Sequence, residues 1–190
     1  MQNLFSRLPH TASIDGKTYA LRTDWRTALR IFAAMQDDTL ADFEKQGILL
    51  SLLYETVPQN IAEAMRIAAL FLNCGKKDAP AESTPPLYDF AKDAPLIYAA
   101  MQKSHGIDVL HTDLHWWQFC ALFCDIGEDT FFARILYLRR GMQTGTLPPA
   151  EKRAAALLHE YMALPQNRTV DAQADEFMKL LKEGTHGCNP

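Results

Sequence analysis

The stretch LHWWQFCALFC, residues 114–124, decides the fold of this chain. Side chains of a helix are spaced about 100° apart, so a helix over this stretch is apolar on nearly all sides. Only a narrow stripe of His115, Gln118 and Asp125 is polar. A helix of this kind is central to a fold, because it has little polar surface to offer to water. We therefore predict a helical protein whose core contains both tryptophans of this stretch.

The same stretch contains two cysteines, and cysteine beside histidine suggests zinc binding. Cys120 and Cys124 are four residues apart and share a helical face, but His115 points about 140° away from Cys120 on a regular helix. One ion therefore cannot bind all three side chains. We expect both thiols to be buried and metal-free, as cysteines in cores usually are. We also expect Trp117→Ala to unfold or severely destabilise the chain.

Helical patterns follow one another along the rest of the chain. Capping residues, first-turn prolines and terminal glycines bracket apolar residues that are spaced three or four positions apart. The predicted helices begin near Thr23 or Asp24, Asp37 or Asp38, Pro58, Asp93, Thr112 or Asp113, Glu128 to Thr130, and Pro148, and a last one covers about residues 171–182. Gly75 and Gly106 end two of them, another ends near Arg139 and Arg140, and the helix from Pro148 reaches Met162.

A hairpin is predicted before the first helix. Asp15-Gly16 separates two short β-prone runs, residues 12–14 and 18–21, and this dipeptide favours a tight turn because both residues tolerate positive φ. The sequence thus predicts a mainly α fold, a single helical domain of about seven or eight helices with a small N-terminal β-hairpin. The domain covers residues 1–165 and contains a flexible surface loop at 76–86. Residues 166–190 form a C-terminal helix and tail.

The composition limits the classes of function. The 190 residues are 48% hydrophobic and 22% charged, which suits a globular core, and the net charge of −4 gives no general attraction to nucleic acid. The four cysteines are scattered, as in a reducing compartment. Neither a signal peptide nor an apolar run of spanning length is visible, so we expect a location in a bacterial cytoplasm.

No set of residues in the sequence has the pattern of a catalytic or cofactor site. His159-Glu160 begins like a zinc-protease motif, but Ala163 stands where the second histidine is required. Basic residues recur every four positions at Arg22, Arg26 and Arg30 and gather again at Arg134, Arg139 and Arg140. Such a stripe could bind phosphates, but the net acidity and the lack of interleaved aromatic residues favour a solvated helix edge or an acidic partner. We therefore assign no catalytic residue, cofactor or metal, and expect that the chain is not an enzyme.

Several short blocks occur in an order that resembles a known bacteriophage family. The N-terminal half contributes Leu8-Pro9, Ile14-Asp15-Gly16-Lys17-Thr18-Tyr19, Thr23-Asp24-Trp25-Arg26, Met35-Gln36-Asp37-Asp38 and Leu72-Asn73-Cys74-Gly75-Lys76. The closest blocks are Tyr88-Asp89-Phe90, Ile97-Tyr98-Ala99-Ala100, His105-Gly106-Ile107-Asp108 and Leu114-His115-Trp116-Trp117. Over about residues 4–165 the chain is similar to the phage family known as gene product fifteen.

That resemblance implies a tail assembly chaperone of a long-tailed phage. Members of the family are typically encoded between the major tail protein and the tape measure protein, and chaperones from this position coat the tape measure before the tail tube polymerises around it. The resemblance thus implies a homo-oligomer that binds and shields the tape measure protein, with the major tail protein as a further partner. It also implies absence from the mature virion. The acidic net charge and the lack of an apolar spanning run predict no nucleic acid or membrane partner. The alternative is a structural tail or connector component of the virion.

The residues beyond 165 lie outside this resemblance and carry a one-sided apolar stripe. The stripe consists of Val170, Ala174, Phe177 and Leu181. A short isolated helix is marginal in water, so its apolar face must cover a surface. We take these four side chains as candidate partner-binding residues, in contact with another copy or with the tape measure. Packing on their own domain is the alternative.

Overall fold

The computed structural model describes residues 7–76 and 85–164. Within these ranges the chain forms one antiparallel hairpin and eight helices, and 55% of the residues are helical. The prediction of a mainly α fold with a small N-terminal hairpin is therefore confirmed. In chain order the elements are β1 (Thr11–Ile14), β2 (Lys17–Ala20), α1 (Trp25–Met35), α2 (Asp42–Leu53), α3 (Ile61–Leu72), α4 (Ala94–His105), α5 (Trp116–Cys124), α6 (Phe131–Gln143), α7 (Pro149–Leu157) and α8 (His159–Met162).

The chain folds into two compact units. Among the described residues, unit 1 consists of residues 7–76 together with Leu114–Cys120, and unit 2 consists of residues 85–113 together with 121–164. The start of α5 thus packs with the N-terminal part of the chain, from which it is far removed in sequence. No helix formed by the described residues is long and apolar enough to cross a membrane.

The hairpin of unit 1 has the predicted turn. Asp15 and Gly16 have φ angles of 49° and 74°, the left-handed values that a two-residue turn between twisted strands requires. Ala12 and Ile14 point into the core on alternate positions of β1. The carboxylate of Asp15 accepts a hydrogen bond of 3.0 Å from the side-chain amide of Asn60, which joins the turn to the start of α3.

The helices of unit 1 begin at local capping residues, although two predicted starts were wrong. Of the two predicted caps of α1, Thr23 and Asp24, the structure has Asp24, since its carboxylate accepts from the Arg26 amide at 2.8 Å. The α2 helix begins after Ala41 and not at Asp37 or Asp38, because Asp37 instead bonds the amide of Thr39 in a separate turn. The α3 helix begins at Ile61 and not at Pro58, because the side chain of Asn60 caps the amide of Glu63 at 3.1 Å.

Unit 1 has a core to which all of its helices contribute. Ile31, Leu49 and Met65 are fully buried on α1, α2 and α3 respectively. Tyr54, just after α2, is also buried, and its hydroxyl donates to the Ala64 carbonyl at 2.8 Å. Burial raises the pKa of this phenol, so it stays protonated.

Unit 2 has helix ends that were mostly predictable. Asp93 precedes α4, a proline lies in its first turn, and Gly106 follows its end with a φ of 66°. Thr130 caps α6 by accepting from the Ala133 amide at 3.1 Å. The predicted helix from Pro148 to Met162 is interrupted, because Leu158 leaves helical geometry and divides it into α7 and α8. Leu158 packs against the core cluster of Leu138, Leu147 and Ala155.

Candidate functional site

The block Leu114-His115-Trp116-Trp117 ties separate segments of unit 1 together. Its backbone runs antiparallel to the residues that precede α1. The Trp25 amide donates to the Leu114 carbonyl at 3.1 Å, and the Trp116 amide donates to the Thr23 carbonyl at 2.7 Å. These bonds keep the block extended, so α5 begins at Trp116, later than predicted.

The two indoles of this block cap the end of α3. Trp116 donates from Nε1 to the carbonyl of Leu72 at 2.9 Å, and Trp117 donates from Nε1 to the carbonyl of Phe71 at 2.7 Å. The last carbonyls of a helix have no partner inside the helix, so the Trp116 bond supplies a donor to the Leu72 carbonyl. The Phe71 carbonyl accepts a second donor, because the Cys74 amide also bonds to it at 3.0 Å. The Trp117 ring also covers Gly75, where an added Cβ would lie 3.0 Å from the ring.

The prediction that both tryptophans belong to the core is confirmed for Trp116, which is 5% exposed. It is only partly correct for Trp117, which is half-buried. Neither indole presents a polar group to a ligand, because each Nε1 is already used within the chain. The block therefore has a structural role, because it bonds the residues before α1 to the end of α3.

His115 is buried, although the sequence predicted that it lies on the polar stripe of its helix. Its Nδ1 accepts from the Trp117 amide at 3.1 Å, and its Nε2 donates to the Pro9 carbonyl at 3.0 Å. An amide can only donate and a carbonyl can only accept, so these bonds require the neutral tautomer with the proton on Nε2. Burial lowers the pKa of His115, which agrees with this neutral form.

The cysteines of α5 are less enclosed than predicted. Cys120 is half-buried in unit 1 and Cys124 is exposed in unit 2. The prediction that both are buried is therefore wrong, because the end of α5 leaves Ala121 and Cys124 open to solvent. Among residues 7–76 and 85–164, no three histidine, cysteine or acidic side chains are grouped so that they could hold a metal ion.

An apolar groove lies in unit 2 beside the end of α6, α7 and α8. Its volume is about 490 Å³. Small residues form part of its wall, two methionines border it, and a lysine and a histidine supply its polar groups. The residues that line it are Gly141, Met142, Gly145, Lys152, Ala155, Ala156, His159 and Met162. Methionine side chains adapt to different apolar partners, so the groove has the chemistry to receive the apolar face of a helix.

Arg139 supports one side of the groove, although the sequence predicted only a helix end or a basic group at this residue. Arg139 lies on α6 and is 3% exposed. Its guanidinium donates to the carbonyl of Tyr161 at 2.9 Å, to the carbonyl of Leu87 at 2.8 Å and to the carboxylate of Asp93. It thereby holds α8 against α6, and α8 carries two of the lining residues, His159 and Met162.

The arginines near the N-terminus have partners within unit 1. Arg22 donates from its guanidinium to the carbonyls of Ser51 at 2.8 Å and Tyr54 at 2.7 Å, which satisfies the end of α2. Arg26 pairs with Asp24 at 3.1 Å and lies over the ring of Trp25. The spacing of these arginines therefore did not predict their role, because Arg22 and Arg26 bind groups within unit 1.

The predicted partner-binding stripe of Val170, Ala174, Phe177 and Leu181 lies outside the described residues. Its assignment therefore stays a prediction, as does the division of the chain at residue 165. The groove of unit 2 is the candidate site that the structure adds, and its small and methionine residues had no distinctive spacing in the sequence.

Fold and groove together define a small α-helical protein with an N-terminal hairpin and an open apolar surface. A family model described as Bacteriophage Gp15 protein matches residues 4–164. The chain belongs to this family, and membership makes it a virion-related bacteriophage protein. No curated protein and no solved structure matches the chain.

Proposed function

We propose that this chain is a tail assembly chaperone that binds and shields the tape measure protein during tail morphogenesis. The family match over residues 4–164 is the observation that carries the proposal, since chaperones of the gene-product-fifteen type are encoded beside the tape measure. A long helix with an exposed apolar face aggregates unless something covers it. A helical protein with an open apolar groove is suited to that task.

The groove of unit 2 is the proposed contact surface. Met142 is 55% exposed beside it, and Leu157, on α7, is 83% exposed. Apolar side chains of an amphipathic helix, spaced three, four or seven positions apart, fit such grooves as anchors. Lys152 and His159 among the lining residues favour a helix whose apolar face is bordered by acidic side chains.

The remaining parts of the proposal follow from the chaperone role. The protein acts in the host bacterial cytoplasm as a homo-oligomer along the tape measure, and it leaves before the virion is complete. The major tail protein is a further partner. No catalysis, nucleic acid or membrane takes part. The alternative role is that of a structural tail or connector component.

Coexpression with the tape measure protein of the same phage, followed by pull-down, tests the proposal. The expected result is a complex that keeps the tape measure soluble. Ala156→Glu introduces a charge into the groove at an exposed helical position, and we expect it to abolish capture. Ala99→Glu is the matched control, because it makes the same change at an exposed alanine of α4 outside the groove.

Two outcomes would contradict the proposal. Failure of the wild-type chain to retain the tape measure would exclude the chaperone role. Detection of the chain in purified virions, by mass spectrometry at the level of other tail proteins, would favour the structural role. Equal capture by Ala156→Glu and Ala99→Glu would leave the function in place but would exclude the groove as its site.

A further inference from the structure

We propose that Cys74 and Cys120 form a dithiol site at which a peroxide makes a disulfide. The two residues lie in different parts of the sequence and both belong to unit 1. The site is independent of the groove and of the chaperone role. Its chemical requirement is a two-electron oxidant of the peroxide class, with a thiol reductant to reverse the reaction.

Three contacts place the two thiols together. Trp117 donates from its indole to Phe71, at the end of α3, and its ring covers Gly75. Cys74 directly precedes Gly75 in the turn that follows α3, and Cys120 lies three residues beyond Trp117 on α5. Residues three apart share one face of a helix. Cys120 therefore faces the same turn as Trp117, and its thiol hydrogen-bonds the sulfur of Cys74.

The backbone of the turn fixes Cys74 in its position. Cys74 and Gly75 have φ angles of 53° and 73°. The Gly75 amide donates to the carbonyl of Leu70 at 2.8 Å, and the Cys74 amide donates to that of Phe71 at 3.0 Å. Such bonds close the end of a helix. The backbone of Cys74 is thus held in place by bonds within its own turn.

The surroundings of Cys74 favour its thiolate. The hydrogen bond from Cys120 lowers the pKa of Cys74, and the charge of Lys76 lowers it further, against the opposing effect of burial. A thiolate is the nucleophile in thiol oxidation. Both thiols are half-buried, so a small oxidant can reach them whereas larger reagents are hindered.

The reaction balances with one peroxide for each pair of thiols. The Cys74 thiolate attacks one oxygen of hydrogen peroxide, the O–O bond breaks, and hydroxide leaves and takes up a proton to become water. The sulfenic acid formed on Cys74 is then attacked by the Cys120 sulfur, which displaces a second hydroxide as an S–S bond forms. The Cys120 proton completes the second water. The two thiols lose two electrons, which reduce the peroxide.

The consequence is a covalent bond between the end of α3 and α5. Trp116 and Trp117 already join the same two elements through single hydrogen bonds. A disulfide restricts the unfolded chain, so the oxidised protein should melt at a higher temperature than the reduced one. Thiol reductant should restore the original melting temperature.

The experiment treats the reduced full-length chain with an equimolar amount of hydrogen peroxide, then maps peptides by mass spectrometry without reduction. The expected product has lost the mass of two hydrogen atoms and yields one linked peptide that contains Cys74 and Cys120. Cys74→Ala and Cys120→Ala should abolish this product. Cys124→Ala, on the same helix as Cys120 but exposed, is the matched control and should retain it in full.

Peptide mapping of the wild-type chain decides the matter even if a variant folds poorly. A predominant disulfide to Cys124 or Cys188, or accumulation of unpaired sulfinic acid on Cys74, would overturn the proposal. So would an oxidised wild-type protein in which all four cysteines still react with an alkylating reagent after unfolding.

Discussion

The Arg139 guanidinium and the Asp93 carboxylate face each other in the interior of unit 2. Two hydrogen bonds of 2.6 and 2.8 Å join them, and their side chains are 2% and 1% exposed. The pair accounts for the absence of a side-chain cap at Asp93, because both carboxylate oxygens accept from Arg139. A charge so deeply buried is tolerated only with a partner, so each residue depends on the other.

Loss of one member of this pair should destabilise unit 2 strongly. We expect Arg139→Met to lower the free energy of unfolding by about 3–5 kcal/mol, because it leaves the carboxylate of Asp93 buried without a cation. Urea denaturation measures the loss. Arg134→Met is the control on the same helix, since Arg134 pairs with Glu151 nearer the surface and should cost less than about 1 kcal/mol. Equal losses in the two variants would contradict the assignment.

Two buried indole nitrogens of unit 1 should contribute differently to the free energy of unfolding. Nε1 of Trp25 is buried and has no hydrogen-bond partner among the described residues, whereas Nε1 of Trp116 donates to Leu72. Trp25→Phe removes an unsatisfied donor, but Trp116→Phe leaves a helix-end carbonyl without one. We therefore expect Trp116→Phe to lower the free energy of unfolding by about 1–3 kcal/mol more than Trp25→Phe. Chemical denaturation that gave the reverse order would refute this interpretation.

Trp117 should stabilise unit 1 although its ring is only half-buried. Trp117→Ala removes the ring that covers Gly75 and the hydrogen bond to Phe71. We expect a loss of about 3 kcal/mol, at the lower end of the range for aromatic truncation. Trp117→Phe keeps most of the packing and should cost about 1 kcal/mol, the usual value of one hydrogen bond. A Trp117→Ala protein with an unchanged melting temperature would show that the residue serves a partner instead.

Local chemistry explains which helix ends could be predicted from the sequence. Asp24 and Thr130 cap their helices with their own side chains, and Asp15-Gly16 adopts the turn by its own backbone preference. Each of these features is decided within about four residues. The start of α2 was predicted wrongly because Asp37 has the side chain of a helix cap but accepts from the Thr39 amide in a separate turn.

Long-range partners explain what could not be predicted. The periodicity of α5 places Cys120 and Cys124 on one face, but it does not say which element covers each end of that face. The structure half-buries the first and exposes the second. Likewise, the sequence presents Arg139 as an ordinary cation near a helix end, and only the fold brings Asp93 and Tyr161 to it. The candidate groove depends on such contacts and has no local sequence pattern of its own.

The C-terminal segment is expected to contribute to assembly and not to the folded core. Removal of residues 165–190 deletes the stripe of Val170, Ala174, Phe177 and Leu181, yet it keeps every residue that the family model matches. We expect the truncated protein to retain its helical circular dichroism spectrum and melting temperature. Light scattering should show reduced self-association, or pull-down should show weaker tape measure binding. An unfolded truncated chain would instead assign the stripe to its own core.

His115 should make the stability of unit 1 depend on pH. Burial lowers the pKa of His115 below its ordinary value of about 6.5, and the neighbouring His10 adds to the effect, against the opposing bond to Pro9. The unfolded chain therefore takes up a proton at a pH where the folded chain does not. The stability that His115 contributes is fully present above the unfolded pKa and is lost as the pH falls through the folded pKa.

Urea denaturation of the wild-type chain and of His115→Asn, at about pH 8 and about pH 5.5 on either side of the ordinary histidine pKa, measures this dependence. Asparagine does not titrate, and its side-chain oxygen can still accept from the Trp117 amide. We expect the wild-type chain to lose more stability on acidification than the variant does. Other titrating groups act equally in both proteins, so the difference reports His115. His111→Asn, at a side chain that is 82% exposed, should keep the wild-type dependence, and an equal response of His115→Asn would contradict the buried neutral histidine.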